Sequence, residues 1–519
     1  MVEQLPVGEY NQLYRQSSTL YFSSTDKADE TTIQSLSLDP LAQPSTVSGS
    51  TNVKTFTIAS NVVLGKFASG LWVGTPVSSP SWIQLPVSSL HLDVDPQLEW
   101  RAMFRDAWRL LRDYFYDPGM HGVDWGGVYQ RYLPLVRRVT THGELKDLIA
   151  QMVGEVSALH VFVYGGDDVD TPKGASVASL AVELRRNESG GGYTVGHIPL
   201  SDPAVPNAAP PLSPQRANVS TGETLLAIDG LPLLALPDIG FALQGKADRL
   251  VQLTVRSPAG DTRLVTATPV SQGTAFKYRY NEWELLARRR VDLLSNGRVG
   301  YIHMRRMSQG GHSFERFAAG FYPEGHKDGL IIDVRNNHGG NIDSWVLTKL
   351  MRRAWMYWKG RSGPIAWNQH GAFRGHMVVL VDEKTASDGE AFAEGFRRLG
   401  LGVVMGQRTW GGEIWLSSDN PMVDGGIATA PESGVFSLDG KWLIEQVGVV
   451  PDIEVVNEPV ATFYGADAQL DAAIRHLNDQ IAVRLSTTHR DDTQTHTVHR
   501  HTQTQSHSTP PPPAPNGSP

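Results

Sequence analysis

Residues 377–400 read Met-Val-Val-Leu-Val-Asp-Glu-Lys-Thr-Ala-Ser-Asp-Gly-Glu-Ala-Phe-Ala-Glu-Gly-Phe-Arg-Arg-Leu-Gly. The first five are apolar and predict a buried strand that ends at Asp382. After Ser387, the aromatic residues Phe392 and Phe396 are spaced as on one face of a helix. A strand followed directly by a helix predicts an α/β domain. The junction also places the Ser387 hydroxyl near helix N–H groups and the positive end of the helix dipole.

Two interpretations of Ser387 fit this stretch. Serine is a favoured N-cap residue, whose side chain accepts a backbone N–H from the first helical turn. A serine hydroxyl at such a junction is also a candidate nucleophile, because free N–H groups beside it stabilise an oxyanion. Asp388 also has two interpretations: a catalytic acid next to the nucleophile, or a charge at the helix N-terminus whose residue also supplies a backbone N–H. The quoted residues alone do not decide between these roles.

The composition excludes several classes of protein. The chain has 519 residues, a net charge of -8 and a pI of about 6.1, so nothing indicates a nucleic-acid or anionic-membrane partner. It has no cysteine, which excludes disulfides, thiolate metal sites and a cysteine nucleophile. No signal peptide or membrane-spanning run is evident. We expect a soluble cytoplasmic protein with no metal or organic cofactor.

Shifts in composition and periodicity divide the chain. Asp95-Pro96 opens a helix, and the capping-box pattern Thr141-His-Gly-Glu144 opens another. Short alternating apolar runs before residue 95 predict strands. We assign a disordered Ser/Thr/Gln-rich arm (1–49), a β-rich segment (50–94), a helical subdomain (95–168), a β-rich domain (172–270), an α/β domain (275–478) and a disordered Thr/His/Pro-rich tail (480–519).

Alternation of strands and helices predicts the α/β domain in more detail. Apolar runs predict strands at 299–303, 330–334, 377–381 and 403–405, and helical spacing predicts helices at about 341–357 and 387–400. The β-rich domain before it has the order strand, Asp-Gly turn, short helix, strand and hairpin. In that order it resembles PDZ domains, which bind peptide termini by strand addition.

Three further segments supply groups that fit chemistry at Ser387. The loop Asp333-Val-Arg-Asn-Asn-His-Gly-Gly340 follows a strand and precedes a helix, so its glycines place N–H donors where an oxyanion would bind. His160 ends the third helical segment, and histidine is the side chain best suited to act as a base near neutral pH. Glu445 supplies a carboxylate that could orient a histidine.

Taken in order, these motifs resemble the core region of tricorn proteases and, more broadly, the C-terminal processing peptidases. The resemblance covers residues 95–460. It is carried by Met152-Val-Gly-Glu155 with His160, Tyr164-Gly-Gly-Asp167, Asp333–Gly340, Ala386-Ser-Asp-Gly389, Gly406-Gln-Arg-Thr-Trp-Gly-Gly412, and Glu445 with Gly448-Val-Val-Pro-Asp-Ile453.

The resemblance implies a role for each site residue. Ser387 would be the nucleophile, His160 the general base, and Glu445 the carboxylate that orients His160. The N–H groups of Gly339 and Asp388 would form the oxyanion hole. The resemblance also implies a ClpP/crotonase-like catalytic domain, peptide substrates and a homo-oligomer.

The sequence departs from its relatives at three places. Processing peptidases use a lysine base at the position of Gly412, so this chain resembles the histidine-based, tricorn-like branch. Tricorn proteases have a serine just before the catalytic histidine, where this chain has Leu159. The large propeller domains of tricorn proteases have no room here, and residues 50–94 fit at most a remnant blade. Leu159 keeps an alternative open, a catalytically silent peptide-binding scaffold that uses the PDZ-like domain.

Overall fold

The computed structural model describes residues 9–25, 30–39, 42–89, 91, 93–166, 175–203, 205, 208–308, 313–358, 360–362, 366–417 and 420–492. The chain forms two compact units that divide after Pro96. Across these described ranges, no helix combines the length and apolar character that a membrane span requires.

The N-terminal unit contains two antiparallel four-stranded sheets, each in sequence order. The first sheet is β1 (Glu9–Gln16), β2 (Thr19–Thr25), β3 (Thr31–Ser37) and β4 (Ser45–Thr46). The second is β5 (Val53–Ala59), β6 (Val62–Phe67), β7 (Gly70–Thr75) and β8 (Ser81–Gln84). Apolar side chains from both sheets form one core, comprising Tyr21, Ile33, Val47, Val53, Phe56, Val63 and Val77.

The first sheet corrects the prediction of a disordered arm over residues 1–49, because residues 9–46 contain four strands. Polar residues, many of them serine or threonine, fill most positions of these strands, so the sequence shows no sustained apolar period. Threonine is nevertheless a good strand residue. Tyr21 and Ile33 are buried in the core shared with the second sheet. Residues 1–8 lie outside the described part.

The helical subdomain forms as predicted. It contains α1 (Pro96–Tyr114), α2 (Trp125–Val136), α3 (His142–Gly154) and the short strand β9 (Val163–Tyr164). The Thr141 hydroxyl caps α3 by accepting the N–H of Glu144 at 3.2 Å. Met103, Phe104 and Leu111 form part of the buried face of α1.

The next domain is the predicted PDZ-like sheet. Its strands are β10 (Glu183–Asn187), β11 (Gly192–His197), β12 (Thr224–Ile228), β13 (Leu231–Pro232), β14 (Val251–Arg256) and β15 (Thr262–Ala267), and its helix is α4 (Gly240–Leu243). The sheet has the order β10-β11-β12-β14-β15, with β13 paired to β12. Helix α5 (Gln272–Leu294) leads from it to the α/β domain.

A five-stranded parallel sheet forms the centre of the α/β domain, in the order β16-β17-β20-β21-β25. These strands are β16 (Val299–His303), β17 (Gly329–Asp333), β20 (His376–Val381), β21 (Val403–Gly406) and β25 (Ile453–Glu454). The helices are α6 (Ser313–Phe321), α7 (Asp343–Leu350), α8 (Asp388–Arg398), α9 (Pro459–Phe463) and α10 (Ala468–Asp492). Because the strands are parallel, the loops after β17 and β20 leave the same edge of the sheet, where ligands bind in such folds.

Short strands complete the domain. They are β18 (Met356–Trp358), β19 (Ala366–Asn368), β22 (Ile414–Ser417), β23 (Ile427–Ala428) and β24 (Ala430–Gly434). The pairing of β23 with β9 attaches the helical subdomain to the α/β domain. Single 3-10 turns occur at Val87–Ser89, Met120–Gly122, Leu233–Ala235 and Pro323–His326.

Two predicted boundaries in this domain are wrong. The helix expected at 341–357 ends at Leu350, and β18 then pairs with β19 as a hairpin rich in strand-favouring aromatic residues. The tail expected from residue 480 begins later, because α10 continues to Asp492. Its apolar face, including Leu477 and Ile481, is buried in the core of the α/β domain. The tail after residue 492 lies outside the described residues.

Candidate active site

Ser387 lies at the junction between β20 and α8, at the N-cap position of the helix. Its backbone φ is 54°, a value that is strained for a residue other than glycine. Its N–H donates to Oε2 of Glu390 at 3.0 Å, and its carbonyl oxygen accepts the N–H of Glu390 at 2.6 Å. The predicted strand-turn-helix geometry is therefore confirmed, and the serine is held in a conformation that the turn imposes.

The glycine-rich loop after β17 packs directly against this turn. The Ala386 N–H donates to the carbonyl oxygen of Asn337 at 2.8 Å, and the Thr385 hydroxyl donates to that of Val334 at 2.9 Å. At Gly339, where φ is +90°, a Cβ would lie only 2.5 Å from Cβ of Ser387. The missing side chain at Gly339 thus allows the loop to approach the serine.

The donors at this junction differ in part from those that the resemblance implies. The N–H of Gly339 donates to Oδ1 of Asn337 at 2.8 Å, so it is already engaged. The N–H groups of Gly340 and Asp388 have no hydrogen-bond acceptor within the described ranges. Both residues line a cavity of about 110 Å³ together with Ser387. Among the described residues, the unengaged donors beside Ser387 are thus the N–H groups of Gly340 and Asp388, and the oxyanion-hole role of Gly339 stays a prediction.

The Asp388 side chain joins the two strand-helix junctions. Its Oδ2 accepts the N–H of Ile342 at 2.7 Å and that of Asp343 at 3.0 Å, and it thereby caps α7 rather than its own helix. Burial, and then the neighbouring carboxylate of Asp343, raise the pKa of Asp388 to about 7. Its carboxyl group therefore holds the glycine-rich loop and the serine turn together.

The carboxylate of Glu390 accepts four hydrogen bonds in the site. This residue was not identified from the sequence. Besides Ser387, its carboxylate accepts the N–H groups of Gly411 (2.7 Å) and Gly412 (2.9 Å) and the hydroxyl of Thr409. The side chain is fully buried, and burial raises its pKa. A signal was present, because Ser387-x-x-Glu390 is a capping-box pattern. We assign Glu390 as a positioning residue that joins the serine turn to the loop 409–412.

Replacing Glu390 by glutamine is expected to lower kcat about 100-fold with little change in KM, because an amide cannot accept all four hydrogen bonds. The free energy of unfolding is expected to fall by about 2–4 kcal/mol. Glu394→Gln is the matched control, since Glu394 is buried one turn later on α8 and bonds Arg398 at 2.6 Å. Turnover and urea unfolding of both variants distinguish a positioning role from a purely structural one. Equal losses of kcat in the two variants would contradict the positioning role of Glu390.

His160 is brought to this site by the pairing of β9 with β23. Its carbonyl oxygen accepts the hydroxyl of Thr429 at 3.0 Å, and the same hydroxyl accepts the N–H of Phe162 at 2.8 Å. The imidazole is 5% exposed and makes edge contacts with Trp410 (5.4 Å between ring centroids) and Phe162 (5.9 Å). Since Trp410 belongs to the loop 409–412 that Glu390 binds, the His160 ring and the serine turn both contact this loop.

Glu445 lies next to the same segment but contacts its backbone. Its Oε1 accepts the N–H of Leu159 at 3.0 Å, and its Oε2 accepts the N–H of Glu413 at 2.8 Å. Within the described ranges Nδ1 of His160 has no hydrogen-bond partner. The direct Glu445–imidazole bond of the predicted triad is therefore absent among these contacts, and Glu445 positions the segment that carries His160.

No hydrogen bond joins the His160 imidazole to Ser387 in the described structure. Catalytic hydrogen bonds are often long or poorly aligned without substrate and shorten in the complex. Burial without a compensating carboxylate lowers the pKa of His160 to about 4. The imidazole is therefore neutral at physiological pH and able to accept a proton.

The pH dependence of kcat/KM follows from this environment. The base is protonated below pH 4 and neutral above it, so kcat/KM is expected to rise with pH through about pH 4 and then stay level to neutrality. An ordinary histidine would give this rise near pH 6.5. Initial rates on a peptide without ionisable side chains, with circular dichroism as a folding control, measure it. A rise centred at pH 6.5 or higher would contradict the buried, unpaired imidazole.

Gly412 shows why a lysine base does not fit this loop. A Cβ at this position would lie 2.6 Å from the ring of Trp410 and 3.0 Å from Cβ of Leu159. Any side chain here would displace the residues that surround His160. Within the described residues, no cluster of three or more His, Cys, Asp or Glu side chains is placed to hold a metal ion.

Comparisons with known protein families agree with this architecture. Residues 298–455 match peptidase family S41, residues 96–154 match the tricorn protease C1 domain, and residues 178–272 match the tricorn protease PDZ domain. The chain therefore combines a peptidase family S41 domain with two domains of the tricorn protease type. This confirms the predicted family, the α/β fold class and the PDZ-like domain.

Individual relatives give the same result. The chain is 34% identical to tricorn protease homolog 1 of Streptomyces coelicolor, over 76% of this chain and 36% of that protein. It is 32% identical to a putative tricorn-like protease C-terminal subunit of Sulfurisphaera tokodaii, over 75% of this chain and 44% of that protein. The chain thus spans less than half the length of these relatives. A crystal structure of the tricorn protease matches its fold with a TM-score of 0.79 at 24% identity, over 92% of this chain and 47% of that one.

Proposed function

We propose that this chain is a serine-type peptidase that hydrolyses peptides through an acyl-enzyme at Ser387. One observation carries the proposal. Ser387 lines a cavity beside two N–H groups, those of Asp388 and Gly340, that have no acceptor among the described residues. A hydroxyl nucleophile next to two free donors is the arrangement that acyl transfer requires. The match to peptidase family S41 supports the same reaction.

The steps follow from these groups. The Ser387 oxygen attacks the carbonyl carbon of the peptide, and its proton passes to the neutral imidazole of His160. The oxyanion that forms accepts hydrogen bonds from the N–H groups of Asp388 and Gly340. The C–N bond then breaks as His160 returns the proton to the leaving amine. Water, deprotonated by His160, then attacks the acyl carbon. The bond from that carbon to the Ser387 oxygen breaks, His160 returns the proton to the serine, and the carboxylic acid product leaves.

The peptidase family match favours this function over the alternative of a silent peptide-binding scaffold. In this proposal the PDZ-like domain and the cavity at Ser387 both act on peptides, so unstructured peptides are the substrate class. Leu159 does not remove the base, because Glu445 binds the N–H of Leu159 and supports the segment that carries His160.

The experiment is cleavage of an unstructured peptide library by the purified chain and by Ser387→Ala, followed by mass spectrometry. We expect cleavage by the wild type only. The same pattern of fragments from both proteins, or no cleavage by either, would overturn the proposal. Binding of uncleaved peptides by both would instead favour the scaffold.

A cytoplasmic location and a homo-oligomeric state are finer parts of the proposal. They rest on the family resemblance. Fractionation of the source cells and light scattering after size-exclusion chromatography measure them directly.

A further inference from the structure

Gln446 connects the two halves of the candidate active site. Its side-chain Nε2 donates to the carbonyl oxygen of Ser157 at 2.6 Å. Its backbone N–H donates to the carbonyl oxygen of Gly411 at 2.8 Å. Ser157 lies three residues before His160, and Gly411 belongs to the loop 409–412. Gln446 therefore bonds both the segment that carries the base and the loop that contacts the serine turn.

This loop is itself fixed to the serine turn at two points. The N–H of Gly411 donates to the carboxylate of Glu390, which also accepts the N–H of Ser387. The N–H of Trp410 donates to the carbonyl oxygen of Thr385 at 3.0 Å, two residues before the nucleophile. A continuous series of hydrogen bonds thus runs from the serine turn through the loop to the segment that carries the base.

The backbone is strained at both ends of the side-chain bond. Gln446 has a φ of 64° and Ser157 a φ of 54°, in the left-handed region that favours glycine and asparagine. Strained conformations persist where the surrounding contacts fix them. Within the described ranges, the carbonyl oxygen of Ser157 accepts no hydrogen bond other than the one from Gln446. This bond therefore fixes the direction of the Ser157 carbonyl group.

The imidazole of His160 depends on its backbone for orientation, because its Nδ1 has no hydrogen-bond partner within the described residues. Leu159 stands where the resemblance implies a serine hydroxyl. A displacement of reacting groups by about 1 Å costs about 100-fold in rate. Movement of the segment before His160 is therefore expected to slow proton transfer more than it weakens peptide binding.

We propose that Gln446 is a positioning residue that holds the segment carrying His160 in a fixed position relative to the serine turn. The inference rests on the proposed peptidase function and adds a residue to the same site. Gln446 acts through its bonds to Ser157 and Gly411. Its side chain is exposed, so longer side chains can be accommodated at this position.

The test compares Gln446→Asn with Gln446→Arg. Asparagine keeps an amide and tolerates the left-handed backbone, but its side chain is too short to reach Ser157. We expect kcat of Gln446→Asn to fall about tenfold, with KM within about twofold of the wild type and little change in Tm. Arginine is long enough to donate to the same carbonyl oxygen, so Gln446→Arg is expected to keep kcat within about threefold of the wild type.

Gln97→Asn is the matched control. Nε2 of Gln97 donates to the carbonyl oxygen of Val139 at 2.8 Å within the helical subdomain. The same shortening there is expected to leave kcat within about twofold of the wild type. Equal losses of kcat in Gln97→Asn and Gln446→Asn would overturn the positioning role, and so would equal losses in Gln446→Asn and Gln446→Arg.

Hydrogen exchange followed by mass spectrometry reads the base segment directly. In Gln446→Asn we expect the N–H groups of Leu159 and Phe162 to exchange at least about fivefold faster, with the central sheet unchanged. Unchanged exchange at these residues would overturn the inference. The two possible failures are distinguishable: the peptidase function fails if the wild type cleaves no peptide, whereas the positioning role fails if the wild type and Gln446→Asn cleave equally fast.

Discussion

Replacement of His160 by alanine is expected to lower kcat/KM for peptide hydrolysis by about 10⁴-fold or more. The reason is that Ser387 then has no group to accept its proton, while the donors at Asp388 and Gly340 remain. Residual turnover above the uncatalysed rate is expected, because oxyanion stabilisation and substrate binding persist. Added imidazole should partly restore the rate, since it can enter the space that the buried side chain leaves.

The matched control is His142→Ala. His142 belongs to the same helical subdomain, and its Nε2 forms a hydrogen bond with Oδ2 of Asp424 at 2.5 Å. Removing it is expected to affect stability but to leave kcat/KM within about threefold of the wild type. Steady-state rates on one fluorogenic peptide, with thermal unfolding of both variants, give the comparison. If the His160 variant retained more than a tenth of the wild-type rate, His160 could not be the base.

Replacement of Gly339 by alanine is the second large effect, and it should lower kcat/KM about 100- to 1000-fold. The added Cβ would lie 2.5 Å from Cβ of Ser387 and 2.9 Å from the carbonyl oxygen of Ala386. The serine turn or the glycine-rich loop must therefore shift, and displacement by about 1 Å is enough to cost two orders of magnitude in rate. Backbone strain at a φ of +90° adds about 1–3 kcal/mol of destabilisation.

Gly400→Ala separates these two causes. Gly400 follows α8 and has a φ of +64°, but a Cβ there would meet no atom within 4 Å. The Gly400→Ala variant should lose a similar amount of stability and keep its turnover. Rates and urea unfolding measured on both variants decide the point. Comparable rate losses at the two glycines would show that strain alone, and not contact with Ser387, limits activity.

The sequence predicted the elements that depend on local periodicity. The strand before Asp382, the helix after Ser387 and the capped helix that starts after Thr141 all follow from apolar spacing and capping residues. These signals are contained in ten to twenty consecutive residues. The sheet over residues 9–46 was missed because its strands are stabilised by a core shared with the second sheet, which no single strand reveals.

The site was predicted less completely, because its bonds join residues far apart in the chain. Which N–H is free depends on side-chain contacts: Asn337 engages Gly339 and leaves Gly340 unbonded. Likewise, the carboxylate of Glu445 reaches backbone N–H groups rather than the imidazole of His160. Loop motifs identify the residues that approach each other, but they do not specify which atoms pair.

Gln446 illustrates the same limit. A single glutamine after Glu445 gives no signal in the sequence. Its side-chain bond to Ser157 joins residues 289 positions apart, so it appears only when the helical subdomain and the α/β domain are assembled.

Covalent labelling by an organic fluorophosphonate tests the central claim most directly, since this reagent phosphonylates an activated serine. After digestion and tandem mass spectrometry, we predict one adduct, on Ser387. Ser387→Ala should give none, and His160→Ala should react at least about 100 times more slowly. An adduct on a different serine, or equal labelling of Ser387 with and without His160, would contradict the account.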